Sequence, residues 1–350
     1  MKMTVDEIKS LLASQGEEAQ ALLNKGLQTK LQTLDNCVHL RGLIEYSSCC
    51  AKNCLYCGLR CTNASAVRYT MSDQEVFDCA QLAMQLHYGS IAIQSGERSD
   101  RAFVDKITYL VREIKRQTDG KLGITLSCGE QSEETYRKWF DAGAHRYLLR
   151  IEASNPDLYY KIHPKDHDFD KRVACIDNLI KIGYQTGTGC MIGLPFQTLD
   201  DLASDLLFFQ EKQVAMVGMG PFIPHPDTPL WQYRNAIPSV AERVQLTLKM
   251  IALLRIMIPE INMVAATAVQ TLDPQGREKA VKAGANVIMP NLSPENYRKE
   301  YLIYPDKPSV SDNAINDQQE LEKSLQAIDH HILYDAWGDS VAFTKQHLKS

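Results

Sequence analysis

The sequence lacks several features that would place it in whole classes of protein. No apolar run approaches the roughly 18 residues that span a bilayer. The first residues, MKMTVDEIKSLLASQGEEAQ, contain neither a hydrophobic signal core nor a cleavage site. The net charge is only −5, so no general affinity for nucleic acid or an anionic membrane is expected. We therefore expect a cytoplasmic protein without nucleic-acid or membrane partners.

Cysteine is missing from the second part of the chain, since none follows Cys190. A second metal cluster in the C-terminal tail is therefore excluded. The ten cysteines of the chain occur without a secretory signal, which indicates a reducing compartment rather than a disulfide framework. Among them, Cys50, Cys54 and Cys57 form the pattern C-x3-C-x2-C. These three are the candidate catalytic and metal-binding residues.

This spacing predicts an iron–sulfur cluster with one open iron. Clusters normally have four cysteine ligands, so three thiolates leave one iron free to bind and activate a ligand. Tyr56 precedes the third cysteine, and the stretch resembles the signature C-x3-C-x-aromatic-C of radical S-adenosylmethionine (SAM) enzymes. In those enzymes the open iron of a 4Fe–4S cluster binds SAM, which one electron cleaves to a 5′-deoxyadenosyl radical. Oxygen destroys such clusters, so an anaerobic setting is expected. The alternative is a zinc site completed by Cys49 and Cys61.

From residue 38 onward, short apolar runs alternate with helical patterns. The runs are 39–46, 90–95, 122–127, 146–152, 186–193, 214–220, 262–268 and 285–290. The helical stretches between them lie near 72–87, 102–117, 132–142, 170–182, 199–212, 239–257 and 274–283. Eight such repeats predict a parallel (β/α)8 barrel, a TIM-type α/β fold. A doubly wound open sheet is the alternative, but no glycine-rich dinucleotide fingerprint follows the first run.

The barrel prediction divides the chain into three parts. Residues 1–36 form an N-terminal helical extension, with two helices over 4–33 that we expect to cap one barrel end. Residues 37–306 form the barrel. Residues 307–350 form a C-terminal tail packed on the barrel, with a helix near 316–329.

Active residues of such barrels lie at the carboxyl ends of the strands and in the loops that follow. The cysteine loop follows the first run, and polar residues follow the later ones. The candidate cofactor-binding residues are Tyr56, Gln94, Glu97, Ser127, Glu152, Arg172 and Gly193. Glu97 is placed to accept from the SAM amino group, Glu152 to bind a ribose diol, and Arg172 to bind a carboxylate. The alternative for Glu97 is a surface glutamate, and the alternative for Glu152 is a salt bridge with Arg150 or Arg172. Arg172 is alternatively a solvated helix residue. The glycines of 187–195, which include Gly193, alternatively form a tight barrel corner.

Three arginines alternate with apolar residues on predicted strands, namely Arg41, Arg146 and Arg150. Interior arginines need anions. With Thr125, Ser127, Thr267 and Tyr301 they predict a polar cavity for an anionic or zwitterionic substrate. The alternative is internal salt bridges to Glu45 or Glu130.

Longer stretches carry a more specific resemblance than the cysteines alone. They are IEYSSCCAKNCLYCGLR, IQSGE, TLSCGE, HRYLLRIEASNP, GLPFQT, MVGMGPFIPHPDTPL and GANVIMPN. Over residues 38–305 the chain resembles the HydE family of radical SAM maturases of FeFe-hydrogenases, which is related to biotin synthase and methylornithine synthase.

The resemblance implies a 4Fe–4S cluster on Cys50, Cys54 and Cys57 and a SAM site near Ser127, Glu152 and Arg172. It implies a substrate cavity with Arg41, Thr125, Arg146, Arg150, Thr267 and Tyr301. The implied activity is assembly of the hydrogenase cofactor. The adenosyl radical would attack the cysteine sulfur of an iron complex carrying carbonyl and cyanide, delivered by HydG. The implied partners are HydG, HydF and an electron donor such as ferredoxin or flavodoxin.

The chain departs from the family pattern at the end of the seventh strand, where Ala266-Thr267 replaces a common Thr-Thr. One substrate contact is thereby put in doubt. Two other hypotheses therefore stay open: a small-molecule radical SAM enzyme similar to methylornithine synthase, and a non-catalytic scaffold that holds a cluster or zinc.

Overall fold

Eight parallel strands close into a barrel in the computed structural model, which describes residues 2–306 and 314–347. The strands in chain order are β1 (Cys37–Ser47), β2 (Ser90–Ser95), β3 (Gly123–Ser127), β4 (Arg146–Leu148), β5 (Gln185–Thr188), β6 (Met191–Ile192), β7 (Met216–Pro221), β8 (Asn262–Ala265), β9 (Val287–Ile288) and β10 (His331–Ile332). The order β1-β2-β3-β4-β5-β7-β8-β9 returns to β1 through a β1–β9 pairing. The (β/α)8 prediction is confirmed.

Each of the eight predicted apolar runs contains a barrel strand, with one interruption. The run 186–193 is divided between β5 and β6. At the break, the amide of Glu152 donates to the Gly189 carbonyl, and the amide of Met191 donates to the Glu152 carbonyl. A side chain at Gly189 would lie 1.9 Å from the Gly218 carbonyl oxygen. Close backbone approach therefore requires glycine at this corner.

The helices in chain order are α1 (Val5–Ala13), α2 (Gly16–Leu34), α3 (Asp73–Gln85), α4 (Arg101–Gln117), α5 (Glu133–Asp141), α6 (Pro156–Ile162), α7 (Phe169–Ile182), α8 (Leu199–Glu211), α9 (Val240–Met257), α10 (Thr267–Leu272), α11 (Gly276–Ala283), α12 (Glu295–Arg298), α13 (Ala314–Gln326) and α14 (Val341–His347), with a 3-10 helix at Pro229–Tyr233. Capping boxes start α1, α3, α8 and α9. Each such cap stabilises its helix by about 1 kcal/mol.

The N-terminal helices pack on the outer helices of the barrel. Helix α1 contacts α8 and α9, and α2 contacts α9 and α11. The Lys249 ammonium on α9 donates to the carbonyls of Leu12 and Ser14 at 2.6 and 2.7 Å. Because α2 covers its outer side, α9 is buried over most of its length.

The C-terminal tail adds a strand and a plug at the amino ends of the barrel strands. Strand β10 pairs with the first residues of β1. The Gly338 carbonyl accepts from Asn262, the first residue of β8, and the Ser340 amide donates to Gln185, the first residue of β5. The tail therefore closes the barrel end opposite to the cysteine loop.

Within residues 2–306 and 314–347, the structure contains no helix with the length and apolar character needed to cross a bilayer.

Candidate functional site

The cysteine loop spans residues 48–69, between β1 and α3. The side chain of Arg68 connects distant parts of this loop by hydrogen bonds. The Arg68 guanidinium donates to the carbonyls of Ser48, Leu59 and Arg60 at 2.8, 2.8 and 2.6 Å. These charge-assisted bonds connect both ends of an otherwise irregular segment. Sequence reasoning missed Arg68, which has no signature of its own in the motif.

The three motif thiols are partly buried and close to one another. Burial raises the pKa of Cys50. Burial, with smaller contributions from Cys50 and Glu152, raises the pKa of Cys57 to about 12. The Cys50 sulfur accepts backbone N–H bonds from Lys52 and Glu97 at 3.4 and 3.3 Å. Such donors stabilise a thiolate, and hydrogen bonds to sulfur are common at iron–sulfur sites.

Glycine allows the second strand-end loop to approach the cysteines. A side-chain carbon at Gly96 would lie 2.4 Å from the Cys49 carbonyl oxygen and 2.8 Å from Cys50 Cβ. The Gly96 amide donates to the Ser47 carbonyl at 2.9 Å. The convergent thiols, the N–H donors on sulfur and this glycine cradle fit a three-cysteine 4Fe–4S cluster.

Tyr56 belongs to the cysteine loop, and its hydroxyl lies 3.3 Å from His163 Nε2. Its ring packs on a second apolar cluster, formed by Ala153, Leu158, Ile162, Leu194, Phe222 and Leu230. This cluster excludes water from the side of the cysteine loop that faces β4 to β7.

Two carboxylates and two cations form a charge-balanced network beside the cysteines. Lys52 Nζ lies 2.9 Å from Glu130 and 3.3 Å from Glu97. Arg172 Nε lies 2.7 Å from Glu130, and Arg172 Nη2 lies 4.0 Å from Glu97. Burial raises the pKa of Glu97. Burial also opposes ionisation of Glu130, but Arg172 and Lys52 outweigh it and hold the pKa of Glu130 below its usual value. The alternative of a solvated Arg172 is wrong, because its side chain is buried.

Glu152 forms a two-pronged ion pair with Arg150. Arg150 Nε and Nη2 each lie 2.9 Å from a Glu152 oxygen, and Nη2 also donates to the Cys190 carbonyl at 2.8 Å. Glu152 has a φ of 65°, which costs a side-chain-bearing residue roughly 1–2 kcal/mol. Strain of this kind is concentrated at functional sites.

The other proposed site residues at this end occupy neighbouring positions on the strands. Gln94 and Ser127 are direct register partners at the ends of β2 and β3. The Gly193 amide is occupied, since it donates to Gln197 at 2.6 Å. Thr267 is the first residue of α10. Tyr301 is buried, and Glu45 and the cysteine thiols contribute to raising its pKa after burial itself.

The structure does not bring Arg41, Thr125 and Arg146 to this site. Arg41 Nη2 donates to the Gly338 carbonyl at 2.9 Å. Arg146 Nη1 donates to Asp339 at 2.6 Å, and its Nε donates to the Thr125 hydroxyl at 3.2 Å. These residues lie at the plugged end of the barrel, whereas Arg150 lies at the cysteine end.

Arg41 and Arg146 lie at the plugged end because β1 is longer than the other strands and because the tail packs against the amino ends of the strands. Strand β1 extends below the other strands to pair with β10. Arg41 is therefore level with Ser90, the first residue of β2. Arg146 is the first residue of β4. The expected convergence of three arginines on one cavity is wrong, and the anion that Arg146 needs comes from the tail.

Sequence reasoning also missed several polar residues of the cysteine end. His163 and His167 lie beside Cys54. Burial raises the pKa of Tyr304 to about 12, although its hydrogen bond with Thr271 lowers it. The only sequence signal for the histidines was their spacing after α6, which is too common to identify a site.

Comparisons with known proteins show the family and the fold of this chain. The family model "Radical SAM superfamily" matches residues 44–209. The chain is 48% identical over 274 residues to the "[FeFe] hydrogenase maturase subunit HydE" of Thermotoga maritima, covering 78% of this chain and 75% of that protein.

Two solved structures share the fold. One is a HydG, a maturase of the [FeFe]-hydrogenase, with a TM-score of 0.80 and 19% identity, covering 99% of this chain and 77% of that one. The other is methylornithine synthase (PylB), with a TM-score of 0.78 and 21% identity, covering 96% and 95% of the two chains. The expected cofactors, a 4Fe–4S cluster and SAM, are those of this superfamily. The chain is a SAM-cleaving enzyme that belongs to the radical SAM superfamily and, within it, to the HydE family.

Proposed function

We propose that this protein acts in the maturation of an FeFe-hydrogenase, on a cysteine-bound organometallic iron precursor supplied by HydG, with HydF as a further partner. The observation that carries the proposal is the joining of the cysteine loop to the polar strand ends. The Glu97 amide donates to the Cys50 sulfur at 3.3 Å, so the cluster ligands and the carboxylate network form one site. The 48% identity to a HydE supports the choice of reaction.

When bound, the cluster and SAM supply a 5′-deoxyadenosyl radical by one-electron cleavage of SAM. Cys50, Cys54 and Cys57 would hold the cluster, and Tyr56 would shield it on the side of the second apolar cluster. The remaining task of the chain is placement, because a primary carbon radical must be held within about 3–3.5 Å of its target.

The SAM site would lie along the ends of β2 to β5. Gln94 and Ser127 lie next to each other in register, and Gly193 turns the chain beyond β6. Arg172 Nη2 lies 4.0 Å from Glu97, and this guanidinium would bind the SAM carboxylate. Glu97 would accept from the SAM amino group. Glu152, oriented by Arg150, would accept from the ribose hydroxyls.

The substrate would lie deeper, between Arg150, Thr267 and Tyr301. Tyr304 adds a hydroxyl on the same side, because it interacts with Thr271 and with Arg150. A cysteine-bound substrate carries a carboxylate, and Arg150 is the cation of this group. Neither Arg41 nor Arg146 takes part, since both contact the tail at the opposite end of the barrel.

The test is maturation in a host that supplies the hydrogenase apoprotein, HydF and HydG but no HydE. We expect the wild-type chain to restore hydrogen uptake and Cys54→Ser to abolish it. Cys61→Ser is the matched control from the same loop, because Cys61 is exposed. SAM cleavage in vitro without restored hydrogenase activity would refute the maturase role and favour another small-molecule substrate, as the Ala266 departure allows.

An electron donor such as ferredoxin or flavodoxin is part of the proposal. Reconstituted protein should form 5′-deoxyadenosine with reduced flavodoxin in place of dithionite. Turnover with dithionite but with neither protein donor would contradict this choice.

A further inference from the structure

Three side chains with metal-binding atoms converge at the edge of the cysteine loop. They are Cys54 on the loop and His163 and His167 in the segment after α6. The Cys54 sulfur and one ring nitrogen from each histidine all lie within 4.8 Å of one another. Both histidines are buried, with 3% and 2% of their surface exposed, and Cys54 is partly exposed. A route from solvent to the group therefore exists through the cysteine.

His167 is the first independent sign of a ligand. Neither of its ring nitrogens has a hydrogen-bond partner among the described residues, although both are buried. Burying an imidazole without partners costs free energy. A metal ion would satisfy the lone pair of this ring.

His163 is the second sign, because its tautomer is determined. Its Nδ1 lies 2.9 Å from the Tyr159 carbonyl oxygen. A carbonyl only accepts, so Nδ1 carries the proton and the Nε2 lone pair is free to bind. Metal-bound histidines are typically oriented by such a bond from the other ring nitrogen to a backbone carbonyl. The competing partner of Nε2 is the Tyr56 hydroxyl, at 3.3 Å.

We propose that the apoprotein binds one divalent cation of the zinc type through Cys54, His163 and His167. Imidazole nitrogens and cysteine thiolates both bind zinc, and a site with three protein ligands leaves a fourth position open to water. Bond lengths of about 2.0 Å to nitrogen and 2.3 Å to sulfur require the donors to close inward by about 1 Å. On binding, the Cys54 thiol loses one proton to solvent, both imidazoles stay neutral, and no electron is transferred.

The site shares Cys54 with the cluster, so zinc and the cluster exclude each other. Only this exclusivity rests on the proposed function, because it needs Cys54 as a cluster ligand. Zinc would occupy the cysteine loop before cluster assembly and would have to leave for the enzyme to become active.

The first experiment titrates anaerobic apoprotein with Co²⁺, whose visible bands and thiolate charge-transfer band report tetrahedral N and S ligation. Zn²⁺ then displaces the cobalt, in competition with a chelator of known affinity. We expect one ion per chain, with the release of one proton. His163→Ala, His167→Ala and Cys54→Ser should each weaken binding at least about tenfold. If His167→Ala does not fold, His167→Gln preserves the volume of the side chain and removes the ligand.

The controls separate this site from a three-cysteine site. Cys50→Ala and Cys57→Ala should keep the affinity, and so should Tyr56→Phe, which removes the competing hydroxyl. His331→Ala controls for the other cysteine–histidine pair, Cys37 and His331, whose Sγ and Nε2 are 3.4 Å apart. Binding that needs all three motif cysteines and ignores the histidines would overturn the proposal, and so would the absence of stoichiometric binding.

The second experiment loads the protein with zinc before iron and sulfide are added. Cluster formation should slow in the wild type and be insensitive to zinc in His167→Ala. A protein that holds both zinc at this site and a full cluster would refute the exclusivity. A wild-type protein that matures the hydrogenase but binds no zinc would overturn this inference alone. Intact metal binding without maturation would overturn only the proposed function.

Discussion

Replacing Asp339 by alanine should leave the Arg146 guanidinium buried without its carboxylate. The two are joined at 2.6 Å, and the side chains are 1% exposed for Arg146 and 37% exposed for Asp339. Burial already lowers the pKa of Arg146 to about 10, although Asp339 raises it. Arg146 is enclosed at the amino end of β4, so it cannot reach bulk water when its partner is removed.

The expected loss of unfolding free energy in Asp339→Ala lies between two limits. Surface ion pairs contribute about 0–1 kcal/mol, and breaking a buried pair costs about 3–5 kcal/mol. Because water screens the partly exposed Asp339, we expect about 2–4 kcal/mol. With an unfolding entropy of about 2.1 cal/mol/K per residue, this lowers the Tm of a chain of this length by about 3–5 °C.

The assay is thermal unfolding of the anaerobic apoprotein, followed by circular dichroism. The matched control is Asp177→Ala, which breaks the Lys212–Asp177 pair of 2.7 Å, with Asp177 50% exposed. The double variant Arg146→Met and Asp339→Ala should recover most of the loss, since it also removes the stranded charge. Equal Tm shifts for the two single variants would refute the reasoning. A stable double variant that no longer turns over substrate would show that Arg146 contributes to the substrate site.

The same pair predicts a pH dependence. Burial opposes ionisation of Asp339, but His145 and Arg146 outweigh it and hold the pKa of Asp339 well below its ordinary value. A lowered carboxyl pKa stabilises the fold above the unfolded pKa of about 3.9, and this stabilisation is lost as the pH falls through the folded value. The stability gap between wild type and Asp339→Asn should be constant above about pH 5 and shrink below about pH 4. A gap that does not change with acid would contradict the assignment.

Two further changes test the buried lysine and the glycine cradle. Burial lowers the pKa of Lys30 from 10.5 to about 7, so the unfolded state binds one more proton than the folded state between these values. Lys30→Met should therefore stabilise the protein by on the order of a few kcal/mol below pH 7 and by progressively less up to pH 10.5. Urea unfolding at pH 6 and 9 measures this, and the exposed Lys25→Met should show no such trend. Gly96→Ala places a carbon 2.8 Å from Cys50 Cβ, so iron and sulfide per chain after reconstitution should fall. Full cluster content in Gly96→Ala would show that the close approach is not needed.

Much of the fold and part of the site could be predicted from the sequence. The eight strands could be predicted because a short apolar run in the local sequence indicates a buried strand. The three cysteines are seven residues apart at most, so their convergence needs no long-range contact. The position of Glu97 and Glu152 beside the cysteine loop could be predicted because carboxyl ends of parallel strands meet at one barrel face. Arg172 lies on α7, and its contact with Glu130 depends on the folded structure. The roles of individual residues toward SAM stay predictions.

Only the tertiary structure decided which charges meet. Arg146 and Asp339 are 193 residues apart in the chain, and Arg41 and Gly338 are 297 apart. Alternation along a strand shows that a side chain faces the barrel interior, but not whether a ligand or the tail supplies its anion. The same holds for Cys54 and the two histidines, which belong to separate segments. The sequence by itself determined the barrel and the cysteine loop because local periodicity and spacing encode them. Only the folded structure decided the partners of the buried charges, because these partners are far apart in the chain and come into contact only on folding.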